Sequence, residues 1–202
     1  FAGPGGRQLA LELGMGRGRV ALQLFLSNVS VVGVELAGER YGLAVAALER
    51  LTHRCAHEFE IARKGNKGEI IRIRRRHEGP EGAFCEELRG NFFEVTPNEA
   101  VCSASLVFLH VCLPSAVWPE VCRLLSKLRD GCRILMYDDL TKIWANGQRE
   151  DGSFPFMDLG ELQLACTWGR HHRFHCYERA RISSDSADAG GGGTGVQDIP
   201  CK

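Results

Sequence analysis

The stretch Glu12-Leu13-Gly14-Met15-Gly16-Arg17-Gly18-Arg19 constrains this chain more than any other. It follows a short apolar run over residues 9–13 and precedes a helical pattern over residues 19–26. Glycines so closely spaced let the backbone turn tightly between a buried strand and a helix, and let it approach a ligand at the helix N-terminus. A valine-rich second strand, residues 29–35, ends on Glu35, 21 positions after Gly14. In doubly wound folds an acid at that place accepts hydrogen bonds from ribose hydroxyls. The plainer alternative is a glycine turn that only joins strand to helix.

The rest of the chain continues the alternation. Ala44, Leu48, Leu51, Cys55 and Phe59 recur at the spacing of one helix face, which predicts a helix over residues 39–61. Residues 69–74 alternate isoleucine with charge and predict a half-exposed third strand; residues 105–111 predict a buried fourth. A helix is expected over 117–128, with Pro119 in its first turn and Gly131 just past its end. Residues 132–137 make a fifth strand, and 163–168 with 173–178 a closing hairpin. Strands alternating with helices, then a hairpin, predict an open α/β sheet with a mostly parallel core.

Composition sets the outer bounds. Of 202 residues, 25 are Lys or Arg and 25 are Asp or Glu, so no global charge draws the chain to nucleic acid or membrane. No apolar run has the length of a membrane span. Four consecutive glycines among Ser, Asp and Ala predict a disordered tail over 182–202, which leaves one domain over 7–181. The first residue is Phe1 rather than Met, as expected of a fragment or a processed form. Nine cysteines without a C-x-x-C pair read as free thiols in a reducing, intracellular compartment.

Glycine spacing separates the candidate nucleotides. A dinucleotide fingerprint reads G-x-G-x-x-G/A, and its sixth position here is Arg19, too bulky for close helix–strand packing. The third glycine comes one place early, at Gly18, and Glu12 precedes the first by two. A carboxylate there repels a pyrophosphate and attracts a cation. S-adenosylmethionine carries an ammonium and a sulfonium and no phosphate, so the spacing favours it over NAD. A P-loop is excluded because no Gly-Lys-Ser/Thr follows.

At these residues the chain resembles the class I, seven-strand methyltransferases. More narrowly, it is similar to the disruptor-of-telomeric-silencing family of non-SET histone-lysine methyltransferases. That family's D-L-G-S-G-x-G-x-x-x-L-Q motif resembles Glu12-Leu13-Gly14-Met15-Gly16-Arg17-Gly18-Arg19-Val20-Ala21-Leu22-Gln23. Its G-V/I-E segment matches Gly33-Val34-Glu35, and its G-D-F segment is similar to Gly90-Asn91-Phe92. Residues 106–109, 128–134 and Thr167-Trp168-Gly169 echo later family segments, so the likeness spans about residues 8 to 178.

The resemblance implies a Rossmann-like fold, with a mostly parallel seven-stranded sheet, helices on both faces and a C-terminal antiparallel hairpin. It implies S-adenosylmethionine as cofactor, with Glu12 beside the ammonium and Gly14, Met15, Gly16 and Gly18 forming the loop around it. Glu35 would bind the ribose, Asn91 the adenine amino group, and Phe92 the adenine ring. Where the family has a paired Asn after its fourth strand, this chain has His110-Val111. His110 is the catalytic candidate, as a hydrogen-bond partner or a base near neutral pH; the alternative is a satisfied histidine at a strand end. The family builds its lysine channel from a segment before the first strand, and this sequence starts too late to contain it.

The implied function is methyl transfer to a protein lysine, with histone or nucleosome as partner and the nucleus as compartment. Two alternatives stand beside it. One is methylation of another protein or a small molecule in the cytoplasm; the other is a degenerate module that binds without turnover. Arg63, Lys64, Lys67, Arg72, Arg74, Arg75, Arg76 and His77 face one acid, Glu69, within residues 63–77. That excess would suit nucleosomal DNA, or simply a solvated helix end and edge strand. His171, His172, His175 and Cys176, and separately His53 with His57, lack a four-ligand pattern, so no metal is expected.

Overall fold

The structure, a computed structural model, describes residues 8–65, 69–79, 81–147, 154–166 and 169–180. In chain order the first half comprises β1 (Leu9–Leu13), α1 (Arg19–Leu26), β2 (Ser30–Glu35), α2 (Gly38–Arg54), β3 (Phe59–Lys64), β4 (Ile70–Arg75) and β5 (Phe84–Arg89). The second half comprises α3 (Phe92–Val95), α4 (Asn98–Ser103), β6 (Leu106–Leu109), α5 (Trp118–Leu125), β7 (Arg133–Met136), α6 (Leu140–Gly147), β8 (Phe156–Cys166) and β9 (Gly169–Arg179).

All nine described strands join one sheet in the order β3-β4-β5-β2-β1-β6-β7-β9-β8. The five from β5 to β7 run parallel, while β3-β4-β5 and β7-β9-β8 pair antiparallel. The predicted α/β architecture and closing hairpin are present. The count of seven strands is corrected to nine, with antiparallel pairing at both edges. Parallel strands need crossovers, and the β6-to-β7 crossover runs through α5. Where the chain instead turns back directly, from β3 to β4 and from β8 to β9, it adds antiparallel strands.

Side chains alternate across the pleat and divide the interior into two cores. Leu11, Leu13, Val32, Val34, Val107, Leu109, Ile134 and Met136 pack on one face with Val101 of α4, Val121 and Leu125 of α5, and Ile143 and Trp144 of α6. On the other face Ala10, Val31, Ile71, Ile73 and Cys85 meet Ala21 and Phe25 of α1 and Leu48 of α2. Among the described residues no helix is long and apolar enough to cross a membrane.

Several elements depart from expectation. The predicted helix over 39–61 ends at Arg54, and Phe59 opens β3 instead. Phe59 is nonetheless buried in the same core as Leu48, so its apolar spacing is kept by a strand entering that core. Strand β5 was not anticipated, because Glu86 and Glu87 interrupt the apolar run that a central parallel strand usually shows. Strands β8 and β9 are each eleven residues long and extend the hairpin well beyond its predicted ends.

Candidate functional site

The crevice lies where successive strands diverge, β2 to one side of β1 and β6 to the other, the switch point at which open α/β sheets hold ligands. Gly14, Gly16 and Gly18 have φ of 80°, 60° and 68°, the left-handed region that side chains disfavour. Gly14 and Met15 N–H both donate to Val34 O, at 2.9 and 3.0 Å, folding the loop over the end of β2. A Cβ on Gly14 would lie 2.2 Å from Val111 Cγ1, whereas one on Gly16 would meet nothing within 4 Å. Gly16 therefore borders open space. That space is a cavity of about 490 Å³, within the range of small-molecule sites.

Glu12, Gly14, Met15, Gly16 and His110 all line this cavity, together with Val20 and the arginines 17, 19 and 40. Glu12, at the end of β1, is 1% exposed, and its Oε2 accepts Ala21 N–H of α1 at 2.7 Å. Burial raises its carboxyl to about 8; the Ala21 hydrogen bond opposes that rise and the nearby Glu35 charge adds to it.

His110 follows β6, edge-on to Phe108 and Phe174 and close to Tyr137. Its Nδ1 is 3.8 Å from Glu12 Oε1, and its Nε2 is buried with no hydrogen-bond partner. Burial lowers His110 to about 4, so the ring is neutral at pH 7 and its approach to Glu12 is not an ion pair. A neutral imidazole keeps one nitrogen as a proton acceptor.

Glu35 and Gly18 stand behind the cavity wall. Glu35 Oε2 accepts Gly16 N–H at 2.9 Å, and its Oε1 accepts Ala37 N–H at 2.8 Å and the Arg40 guanidinium at 3.0 Å. The acid thus braces the glycine loop from beneath. Gly18 caps α1, and a Cβ there would lie 2.5 Å from Glu87 Oε1.

Asn91 and Phe92 are not among the residues that line the cavity; Gly90 N–H donates to Glu35 O at 3.0 Å, which ties their segment to the end of β2. Asn91 caps the short α3, its side-chain oxygen accepting Phe93 N–H at 3.2 Å while its amide donates to Glu94. Phe92 is half-buried against the core and 4.3 Å from Phe93, centroid to centroid.

Sequence reasoning missed Arg17, Arg19, Arg40 and Glu87. The first two stood inside the quoted motif, but glycine spacing says nothing about the residues between. Glu87 lay on the unanticipated β5, just before the Gly90-Asn91-Phe92 segment singled out in the sequence.

The lesser clusters resolve differently. Arg72 pairs with Glu86, Arg74 and Arg76 with Glu60, Arg75 with Glu58 and Lys64 with Glu49. The acids come from α2, β3, β5 and the turn just before β3, beyond residues 63–77, so the local excess of positive charge is largely met within the fold. Ile71 and Ile73 point into the core opposite Arg72 and Arg74, as their alternation predicted, whereas Arg75 lies on the isoleucine face over Phe25 and Phe59. Phe174 and Tyr177 are core aromatics; Trp168 lies outside the described residues. Among the described residues no three His, Cys, Asp or Glu side chains are placed to share a metal ion.

No protein-family profile matches the sequence, and no curated protein matches it significantly. Solved structures do match its fold. A magnesium protoporphyrin IX methyltransferase from Synechocystis PCC 6803 with bound SAM superposes with a TM-score of 0.52 at 11% identity, over 86% of this chain and 71% of that one. A SAM-dependent methyltransferase from Methanosarcina mazei gives 0.52 at 12% identity, over 86% and 93%. An RNA methyltransferase from Salinibacter ruber in complex with S-adenosyl-L-homocysteine gives 0.50 at 15% identity, over 88% and 85%. Strand order, glycine loop and these likenesses agree: the chain has the Rossmann-like fold of the class I S-adenosylmethionine-dependent methyltransferases.

Proposed function

We propose that this chain binds S-adenosylmethionine over its glycine loop and directs methyl transfer to a protein lysine, with a histone as the acceptor that the motif resemblance implies. One observation carries the reading. A buried carboxyl, Glu12, faces a cavity across an open-faced glycine loop whose other side is braced by a second acid, Glu35. The residues present fit the cofactor's chemistry: an acid for an ammonium, a glycine surface without side chains, and the unpaired His110 Nε2.

When bound, S-adenosylmethionine supplies an electrophilic methyl on a sulfonium, so the protein's part is positioning in a dry site. Glu12 gives up its proton to face the ammonium. Glu35 exchanges its Arg40 or Gly16 contact for ribose hydroxyls, and Asn91 and Phe92 hold the adenine at the Glu35 end. His110, neutral at pH 7, offers Nε2 as a hydrogen-bond acceptor that orients the incoming amine, whose proton leaves to solvent before the transfer. Phe108, Tyr137 and Phe174 keep that amine poorly solvated, which favours its neutral, nucleophilic form.

A second reading, methylation of another protein or a small molecule, is favoured by Arg17, Arg19 and Arg40. Cations around the cavity oppose a basic peptide and suit an acidic acceptor.

Calorimetric titration with S-adenosylmethionine, with NAD as control, tests the shared core of both readings. Saturable binding of S-adenosylmethionine alone is expected, weakened about ten-fold or more in Glu35→Ala because hydrogen bonds to a charged group are lost. No binding by the wild-type chain removes the reading. Turnover on nucleosomes then supports the lysine reading, turnover on free acidic proteins or small molecules the second, and binding without turnover a degenerate module.

A further inference from the structure

Glu12, Gly33 and Glu87 lie in register on three adjacent parallel strands, β1, β2 and β5. In-register neighbours point to the same face of a sheet, here the face covered by α1 and α2. The glycine loop rests on this row at two places. Met15 Sδ fills the space above Gly33, where a Cβ would lie 2.5 Å from it, and Gly18 is seated against Glu87 Oε1. Glu87 is 1% exposed, and its Oε2 has no hydrogen-bond partner.

The groups facing Glu87 come from every element around it. Tyr41 of α2 approaches, but its hydroxyl donates to the Glu87 backbone carbonyl at 3.4 Å. Ala44 of α2 and Gly18 bring no donor to the carboxyl, and Ile71 is its in-register neighbour on β4. Cys85 and Arg89 share its strand face, and the Arg89 guanidinium lies against Gly38 at the start of α2. Across Gly33 stands Glu12, a like charge.

The two acids are not equivalent. Glu12 has a backbone N–H at 2.7 Å and an open cavity beside it, both of which stabilise an ionised carboxylate. Glu87 has neither. We propose that Glu87 is a positioning residue of the cofactor site that works as an uncharged acid, holding the proton of the row so that Glu12 can hold its charge against a cationic cofactor. Burial raises both carboxyls to about 8, and the Glu12 charge raises Glu87 further, which is the direction this division requires. Glu87 also fills the floor under Gly18, so its shape matters while its charge must stay absent.

The inference rests on the S-adenosylmethionine reading for its consequence but not for its physical basis, and the experiment separates the two. Full-length Glu87→Gln and Glu87→Ala are compared with wild type by S-adenosylmethionine calorimetry at pH 7, by thermal unfolding from pH 5 to 8, and by infrared spectroscopy. Glu87→Ala should weaken binding about ten-fold, and Glu87→Gln, neutral and nearly isosteric, should recover most of that loss. Glu87→Gln should also melt progressively higher than wild type as pH rises from about 4.5 to about 8, because it has no proton to lose over that range. The carboxylic-acid C=O stretch at pH 7 should shrink in Glu87→Gln and persist in wild type saturated with cofactor.

A Gln variant that binds no better than the Ala variant overturns the proposal. A melting difference that stays flat with pH, or an unchanged C=O stretch, does the same. If Glu87→Ala does not fold, the Gln variant decides through melting and infrared alone. If wild type does not bind S-adenosylmethionine, the functional reading falls while those two measurements still decide whether Glu87 is neutral.

Discussion

Gly14 and Gly16 share a left-handed backbone but differ in what surrounds them, and the difference assigns each its role. At Gly16 a methyl group would project into the cavity without a clash, so only the backbone conformation resists it. Gly16→Ala should cost about 1–2 kcal/mol of stability. At Gly14 the same methyl collides with Val111 Cγ1, beside the His110 that follows β6. Gly14→Ala should cost about 2–5 kcal/mol, backbone strain and overpacking together. Urea denaturation of both variants measures the gap; equal losses would mean that Val111 yields freely and does not pin the loop. Glu12, Glu35 and the glycines were legible as residues because chain-local spacing displays them. Glu87 was not, because its relation to Glu12 exists only across two strand pairings.

At the scale of elements, the hairpin is joined to the sheet by its ladder and to the start of α6 by one hydroxyl. Tyr177 of β9 is 1% exposed, donates to Asp139 Oδ1 at 3.1 Å and accepts the first N–H of α6, from Leu140, at 3.1 Å. One side chain therefore holds a helix start and a strand together. Tyr177→Phe keeps the ring packing and leaves the buried Leu140 N–H unsatisfied, which should cost about 1–3 kcal/mol. Amide hydrogen exchange should show the loss as faster exchange at Leu140 and the first turn of α6. Unchanged protection there would show that the bond contributes nothing. Element type was readable where periodicity had length, as in β1, α1 and β2. It failed at Phe59, since a residue destined for one core satisfies helix spacing whether it arrives on a helix or a strand.

Across the whole molecule, buried ionisable groups set an unusual pH dependence. Glu12 and Glu87 titrate near 8 when folded and near 4.5 when unfolded, so the unfolded chain has already lost protons that the folded chain keeps. Each therefore lowers stability as pH rises from about 4.5 to about 8, at about 1.4 kcal/mol per pH unit. His110 acts oppositely: held near 4 against 6.5, it lowers stability as pH falls from about 6.5 to about 4. Together these groups place the stability maximum on the acid side of neutrality and a decline toward pH 8. Urea titrations at pH 5, 6.5 and 8 in the absence of cofactor measure it. A midpoint that rises steadily to pH 8 would contradict the burial of the two acids as charged-state penalties.

The sequence by itself determined the α/β class, the strand–turn–helix that opens the crevice, and the acids Glu12 and Glu35 near the ends of β1 and β2. These properties are carried by neighbours along the chain, where hydrophobic period and glycine spacing act directly. Only the tertiary structure decided the antiparallel edges, the pairing of the basic run with acids from α2, β3, β5 and the turn before β3, and the placing of His110 within reach of Glu12. It also decided that Glu87 lies in register with Glu12 beneath the loop. Those outcomes depend on which strands become neighbours and on how much water burial removes, and neither is written in the spacing of residues along one strand.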